Sequence, residues 1–442
     1  MQVSEIKDIL RKCGIAGAGG AGFPSYAKLS EKADTIILNC AECEPLFKVH
    51  RQLLERYAKE IVSTLNLLTD AIGAKQFIIA VKGSYEGAIN AATAALKDYE
   101  KGKIKLLREV YPAGDEIITI YESTGRVVPP GSIPIEAGCI VYNVETVLNM
   151  YNAINFGMPV THKYVTVAGE VKNPMTLKVP IGTTYSYLVS LCGGTTRNDV
   201  QYLSGGPMMG RLANPFDIVT KTTNGILVMP KDHYIVMKRK QKNQISVKRA
   251  MGTCCQCRSC TDLCSRHLLG YPINPSAFMR CVSSKVTDTK AVLDTNYCSQ
   301  CGLCELYSCP QGLSPRTLIG IAKSELKKNG LKVEKLTEWD DVNPERDFRV
   351  VPMKRLIERL DLTKYNISAP LSDDEVKPKE ISILMSQHIG KPAEPHVKVG
   401  QKVKSGELIA AYDDNALSIP MHSSVNGTVK TVTGTAVTIA AD

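Results

Sequence analysis

Cys254-Cys255-Gln256-Cys257-Arg258-Ser259-Cys260-Thr261-Asp262-Leu263-Cys264 and Cys298-Ser299-Gln300-Cys301-Gly302-Leu303-Cys304-Glu305-Leu306-Tyr307-Ser308-Cys309-Pro310 carry the decisive pattern of this 442-residue chain. Each run places three thiols at the spacing C-x2-C-x2-C and a fourth after three or four intervening residues. A tight loop of this kind wraps three corners of an iron–sulfur cube, and the distant cysteine of the other run supplies the fourth. The spacing predicts one cube on Cys254, Cys257, Cys260 and Cys309, and another on Cys298, Cys301, Cys304 and Cys264. The x4 gap before Cys309 implies a small insertion and leaves open which distant cysteine closes which cube. Zinc also takes four thiolates, but structural zinc uses separated pairs. Cys255 and Cys281 fall outside the pattern and read as spare thiols.

Composition fits this reading. The cysteine count is fifteen, an odd number, which speaks against a fully paired disulfide framework. The start, Met1-Gln2-Val3-Ser4-Glu5, lacks the basic and apolar regions of a secretion signal, so a reducing cytoplasm is expected. There, clustered cysteines are metal-binding or catalytic. No apolar run is long enough for a membrane-spanning helix. The net charge of +10 comes without a basic stripe and reader motif, so no nucleic-acid partner is expected.

Working outward, residues 1–158 alternate helix and strand signals. Ser4–Cys13, Arg51–Ile72 and Ser84–Tyr99 read as helices, and Thr35–Leu38, Gln76–Val81 and Lys103–Val110 as strands. Such alternation predicts a mostly parallel sheet covered on both faces. Residues 159–235 read as a small α+β module, with a strand at Tyr164–Val171, a turn to Pro174 and a helix at Thr184–Cys192. Lys238 to Arg249 is basic, which suits a solvated linker or an electrostatic strip for an acidic redox partner. The cysteine module is placed at 236–330 and a linker without catalytic signature at 331–378. Residues 379–442 are β-rich, with strands expected at Ile381–Met385, Val397–Val399, Leu408–Ala410, Thr428–Val432 and Ala436–Ile439.

Gly17-Ala18-Gly19-Gly20-Ala21-Gly22-Phe23-Pro24 follows a helix. By itself it is either a tight turn or an anion cradle of backbone N–H groups. It is not the dinucleotide fingerprint, which runs from a strand into a helix. With Ser25-Tyr26-Ala27-Lys28 it resembles the FMN loop of the 51-kilodalton flavoprotein of respiratory complex I, and more closely the RnfC subunits of ion-pumping ferredoxin:NAD oxidoreductases. Asn39-Cys40-Ala41-Glu42-Cys43-Glu44-Pro45, Tyr111-Pro112-Ala113-Gly114-Asp115-Glu116 and Asn143-Val144-Glu145-Thr146 resemble the following family motifs, in order. The resemblance implies a Rossmann-like FMN/NADH-binding domain, an SLBB β-grasp domain, a helical ferredoxin-like domain holding two 4Fe–4S clusters, and a C-terminal barrel-sandwich hybrid. It implies that Gly19, Gly20 and Gly22 line the flavin phosphate and ribityl chain. Lys28 neutralises the phosphate, Asn39, Glu42 and Asn143 lie at the flavin's polar edges, Phe23 stacks on nicotinamide and Glu44 helps position it. Complex I carries an arginine where this chain has Ala18 and an aspartate where it has Ala41.

Gln387 to Pro395, Val399 to Val403 and Ile419 to Gly427 resemble the barrel-sandwich module of RnfC, itself similar to lipoyl and biotinyl carriers. The tip region, Met421 to Asn426, has no lysine to modify, so a structural or docking role is expected. His388, His396 and His422 read as packing and turn histidines rather than metal ligands. The module stands last here and first in RnfC. That order resembles the propanediol-utilisation cobalamin reductases of bacterial microcompartments. The amphipathic start, Val3 to Leu10, reads as a domain helix, with an encapsulation peptide as the rival.

The resulting expectation is an electron-transfer oxidoreductase. Electrons pass from NADH through FMN and two 4Fe–4S clusters to cobalamin or a cobalamin-handling enzyme. The site would be cytoplasmic, within a microcompartment, with a shell protein as a further partner. No side-chain acid–base catalyst is required, because the cofactors carry the chemistry. The rivals are an NADH:ferredoxin-type reductase and a non-catalytic bridge docked to a shell or partner protein.

Overall fold

A computed structural model describes residues 1–442. Its first sheet has four parallel strands, Thr35–Cys40, Gln76–Lys82, Gly102–Leu107 and Cys139–Asn143. They lie in the order third, second, first, fourth. The first, second and fourth are nearly continuous apolar runs because both faces of the sheet are buried. Ile6, Leu10 and the helices Val49–Arg56, Ala58–Ala71, Glu86–Ala95 and Val144–Phe156 cover one face. The helix Glu116–Thr124 covers the other, together with Leu269, Tyr271 and Ile273 from the cysteine module. The cysteine module thus forms part of the first sheet's second layer.

The sequence expectation of one helix over Arg51–Ile72 is corrected. The chain leaves helical geometry at Tyr57 (φ −123°, ψ 33°), and the two shorter helices bury separate stripes. The first buries Val49, Leu53 and Leu54, the second Ile61, Val62, Leu65 and Leu68. Ile6 and Leu10 are fully buried, so the N-terminal helix Val3–Lys12 is part of the core.

The second module is a five-stranded sheet in which only His162–Gly169 and Gly225–Pro230 run parallel. The helix Tyr185–Leu191 packs on it through Leu188 and Val189, completing the β-grasp. The basic stretch is neither a solvated linker nor a simple exposed strip. It forms the helices Tyr234–Lys240 and Asn243–Thr253. Lys238 is buried and donates to the carbonyls of Gly312 and Leu313. Arg239, half-buried, donates to the carbonyls of Pro207 and Gly210, because a guanidinium drawn out of water needs acceptors for its fork of donors.

Residues 331–378 do not form a free tether. Val351–Pro352 pairs with Val110–Tyr111, and Leu356, Leu360 and Leu362 are fully buried. The C-terminal module has a four-stranded and a three-stranded sheet around Ile383, Ile409, Ile419 and Val437. The expected strand at Val397–Val399 is absent; Val397 is buried while Val399 is exposed, and short strands form instead at Glu394–Pro395, Lys402–Val403 and Met421–His422. The tip region faces inward: Ser423 and Ser424 are buried, and Ser424 Oγ donates to the carbonyl of Ile181. His388 and His422 are packed and His396 is exposed. No helix is long and apolar enough to cross a membrane.

Candidate flavin and iron–sulfur sites

The strand order reverses between Thr35–Cys40 and Cys139–Asn143, and ligands of open α/β sheets bind outside the carboxyl ends of strands at such a point. Asn39 and Asn143 face each other there in register. Asn39 Nδ2 donates to the carbonyl of Gly114 (2.8 Å), and its Oδ1 accepts from the amide of Ala41. Asn143 caps the helix Val144–Phe156 by accepting from the Glu145 amide (2.9 Å). The glycine loop closes over this helix end. Gly17 N donates to Phe23 O, and Ala18 N donates to Thr146 Oγ1 (2.9 Å).

The amides of Gly19, Gly20 and Ala21 donate to no group of the chain. Gly20 and Gly22 take φ of +66° and +67°, a turn open to glycine at little cost. A Cβ on Gly19 would stand 2.7 Å from Asn224 Nδ2. One on Gly22 would stand 2.8 Å from Thr222 Cγ2 and 3.1 Å from Gln387 O. The loop is therefore walled by the β-grasp and barrel modules. Unpaired amides beside a helix N-terminus suit an anionic group such as a flavin phosphate.

Other residues expected here are engaged elsewhere. Lys28 Nζ lies 2.7 Å from Glu116 and donates to Val141 O, so its charge is already balanced. Glu42 is buried, accepts from the His50 amide at the start of a helix and stands 3.7 Å from Arg51. Glu44 accepts from the amides of Met208 and Met209 (2.7 and 2.6 Å), tying the flavin module to the β-grasp loop; burial raises its pKa. Phe23 is half-buried, and its carbonyl closes the glycine loop.

The eight cysteines fall into two groups. Cys254, Cys257, Cys260 and Cys309 line one cavity open to solvent, with Met279, Leu313 and Pro315. Cys264, Cys298, Cys301 and Cys304 form the second group. Burial raises the Cys264 thiol to about 12 and the Cys301 thiol to about 11, and the thiols of this group raise each other further. Cys260 is likewise pushed up to about 12 by burial, then by Cys309, Cys257 and Cys254. No three His, Cys, Asp or Glu side chains converge as they would on a single metal ion.

Both loops share one backbone course. Gln256 and Arg258 take φ of +58° and +66°, and Gln300 and Gly302 take +60° and +87° at the matching positions. These left-handed turns curl each loop. In the second group, the Gln300 amide donates to Cys298 Sγ (3.3 Å).

Residues 111–116 join the flavin loop to the second thiol group. Gly114 donates to Cys43 Sγ and accepts from Asn39, while Tyr111 OH donates to Cys301 O (2.6 Å). Asp115 caps the helix Glu116–Thr124 and accepts from Arg266 at 2.8 and 2.9 Å. Sequence reading missed Asn224, Arg266 and the two glutamines, and it placed Thr146 in a family motif without its bond to the glycine loop. The only signal available for the glutamines was their identical place in the two runs.

Comparison with known proteins agrees with this architecture. The Nuo51 FMN-binding domain family matches residues 10–152, and the SLBB domain family matches 164–212. A 4Fe-4S dicluster domain family matches 253–314, and the RnfC barrel sandwich hybrid domain matches 366–442. These matches make the chain an FMN and 4Fe–4S electron-transfer oxidoreductase. The chain is 34% identical to a component of the Na(+)-translocating ferredoxin:NAD(+) oxidoreductase complex of Acetobacterium woodii, over 62% of this chain and 60% of that one. It is 40% identical to the cobalamin reductase PduS of Citrobacter freundii, over 98% of this chain and 96% of that one. It is 38% identical to PduS of Salmonella typhimurium, over 99% and 97%. With all modules aligned in the same order along nearly full length, the chain belongs to the PduS cobalamin reductase family.

Proposed function

We propose that this chain passes electrons from NADH through FMN and two 4Fe–4S clusters to a cobalamin acceptor. The observation that carries the reading is a run from Asn143, beside Gly19, across the strand register to Asn39, whose side chain donates to Gly114, and along the chain to Tyr111, whose hydroxyl donates to Cys301 O. FMN bound in the loop would supply the conversion of a hydride's two electrons into single-electron transfers. The chain's residues do the rest. The amides of Gly19, Gly20 and Ala21 hold the flavin's anionic end, and Asn39 and Asn143 fix the crevice floor. Cys264, Cys298, Cys301 and Cys304 hold the inner cluster, beside the flavin module. Cys254, Cys257, Cys260 and Cys309 hold the outer one, open to solvent. A cube spaces its thiolates more widely than a single ion does, in keeping with two loose groups of four. Cobalamin as acceptor rests on the relatives' activity, as does a place in the cytoplasm within a microcompartment with a shell protein nearby. The domain limits proposed are 1–158, 159–235, 236–330, 331–378 and 379–442.

The test is anaerobic reconstitution, followed by NADH oxidation with a corrinoid and with ferredoxin as separate acceptors. Flavin bleaching with corrinoid reduction is expected. Flavin that NADH does not bleach would reject the reductase and favour a bridge. Bleaching with ferredoxin turnover alone would remove cobalamin.

A further inference from the structure

The β-grasp module reaches the flavin loop through Thr220-Lys221-Thr222-Thr223-Asn224, and Asn224 is the residue nearest Gly19. Its orientation is determined by chemistry. Asn224 Oδ1 accepts from Lys163 Nζ at 2.8 Å. An ammonium has donors and no acceptor, so the amide atom facing it must be the oxygen. Nδ2 therefore faces Gly19, where it makes no hydrogen bond within the chain. Lys163 is itself held in place: it is buried against Glu145, and it also donates to Tyr164 O. Glu145 Oε1 accepts from the Tyr164 amide, and Glu145 directly follows the Asn143–Val144 helix start.

We propose that Asn224 is a ligand of the flavin phosphate, supplied by the β-grasp module and oriented by the buried Lys163–Glu145 pair. This rests on the flavin reading above. Nδ2 joins the unpaired amides of Gly19, Gly20 and Ala21; Asn143 Nδ2, which meets His50 Nε2 at 2.7 Å, lies 3.8 Å from the Gly19 Cβ position. These groups present donors with no carboxylate free among them, since Glu145 is paired. That is a donor set suited to a phosphate, and it does not depend on Lys28, whose Nζ lies 2.7 Å from Glu116. Lys163 acts through Asn224 and is a positioning residue. A β-grasp module tied to the phosphate site would also make flavin binding depend on its docking.

The experiment titrates FMN and riboflavin into the full-length flavin-free chain and follows quenching of flavin fluorescence. Asn224→Asp keeps an acceptor for Lys163 but turns a carboxylate oxygen toward the phosphate. It is expected to weaken FMN about 100-fold and riboflavin less than threefold, with the thermal midpoint of the flavin-free chain unchanged. Asn224→Thr, which removes the amide without adding charge, is expected to weaken FMN roughly tenfold. FMN binding unchanged in Asn224→Asp would overturn the assignment. Equal weakening of FMN and riboflavin would overturn the phosphate contact. A parent chain that binds no FMN would defeat the flavin reading itself, an outcome distinct from failure of the variants alone.

Discussion

Cys257 of the outer thiol group is exposed and its counterpart Cys301 is half-buried; Cys260 is half-buried and its counterpart Cys304 is buried. The two loops otherwise follow the same course, with left-handed turns at Gln256 and Arg258 and at Gln300 and Gly302. One ligand loop has thus been set in two environments. Around the inner group, Tyr111, Arg266 and Asp115 exclude water and link to the flavin module. Around the outer group, Lys240, Lys242, Lys248, Arg249 and Arg258 are exposed, and residues 233–261 include no carboxylate. Cluster potentials follow exposure, nearby charge and hydrogen bonds to sulfur. Under the proposed electron path the two groups would differ in role although their ligands match: the inner one would receive electrons within the protein, and the outer one would release them at the surface.

Removing one thiol from each group is the strongest way to break this comparison. Cys301→Ala is expected to abolish the inner cluster's signal and reduce turnover with any external acceptor to background, while NADH still bleaches bound flavin. Cys257→Ala is expected to lose only the outer cluster and leave an inner cluster that NADH reduces. Low-temperature paramagnetic resonance of NADH-treated samples reads both. Identical spectra for the two variants would abolish the inner–outer order.

The next effect tests the wall around the inner group. Arg266 and Asp115 are 11% and 13% exposed as side chains, and removing one partner leaves an uncompensated charge. Arg266→Met is expected to cost about 3 kcal/mol, read from the urea midpoint of the reconstituted protein. The outer group has no such pair, so Arg258→Met should stay within about 0.5 kcal/mol. Equal losses would mean that the wall contributes nothing to the difference.

The contrast also explains what could be read from sequence. The cysteine spacing and the glycine loop are local patterns, because a cube or a phosphate dictates ligand positions within a few residues. The short apolar runs Thr35–Leu38 and Gln76–Val81 announced parallel strands, since a sheet buried on both faces needs no alternation. Contacts between modules were not visible. Arg266 meets Asp115 across 151 residues, and Glu44 meets Met208 across 164. Neither pair leaves a periodic signal. The break at Tyr57 was hidden for a related reason: apolar residues continue through it, and only tertiary packing divides the helix. Lys238 and Arg239 looked like solvated charges because composition does not show that carbonyls of a neighbouring segment await them.

The smallest predicted effect lies in the loops themselves. Arg258 carries a side chain in a left-handed conformation at φ +66°, where the matching residue of the inner loop is Gly302 at φ +87°. An L-residue held there costs about 1–2 kcal/mol. The outer loop accommodates it because Arg258 points into solvent. The inner loop has less room, since a Cβ on Gly302 would come within 3.2 Å of Met208 O, in the same β-grasp loop that Glu44 anchors. Gly302→Ala is therefore expected to destabilise the reconstituted protein by about 2 kcal/mol, strain and crowding together. Arg258→Gly should stabilise it by about 0.5 kcal/mol, because relief of strain slightly exceeds the added freedom of the unfolded chain. Guanidinium midpoints of the two variants measure both changes. Opposite signs at equivalent positions would show that the surroundings, not the ligand loop, decide which residue each turn accepts; equal signs would place the difference in the loops.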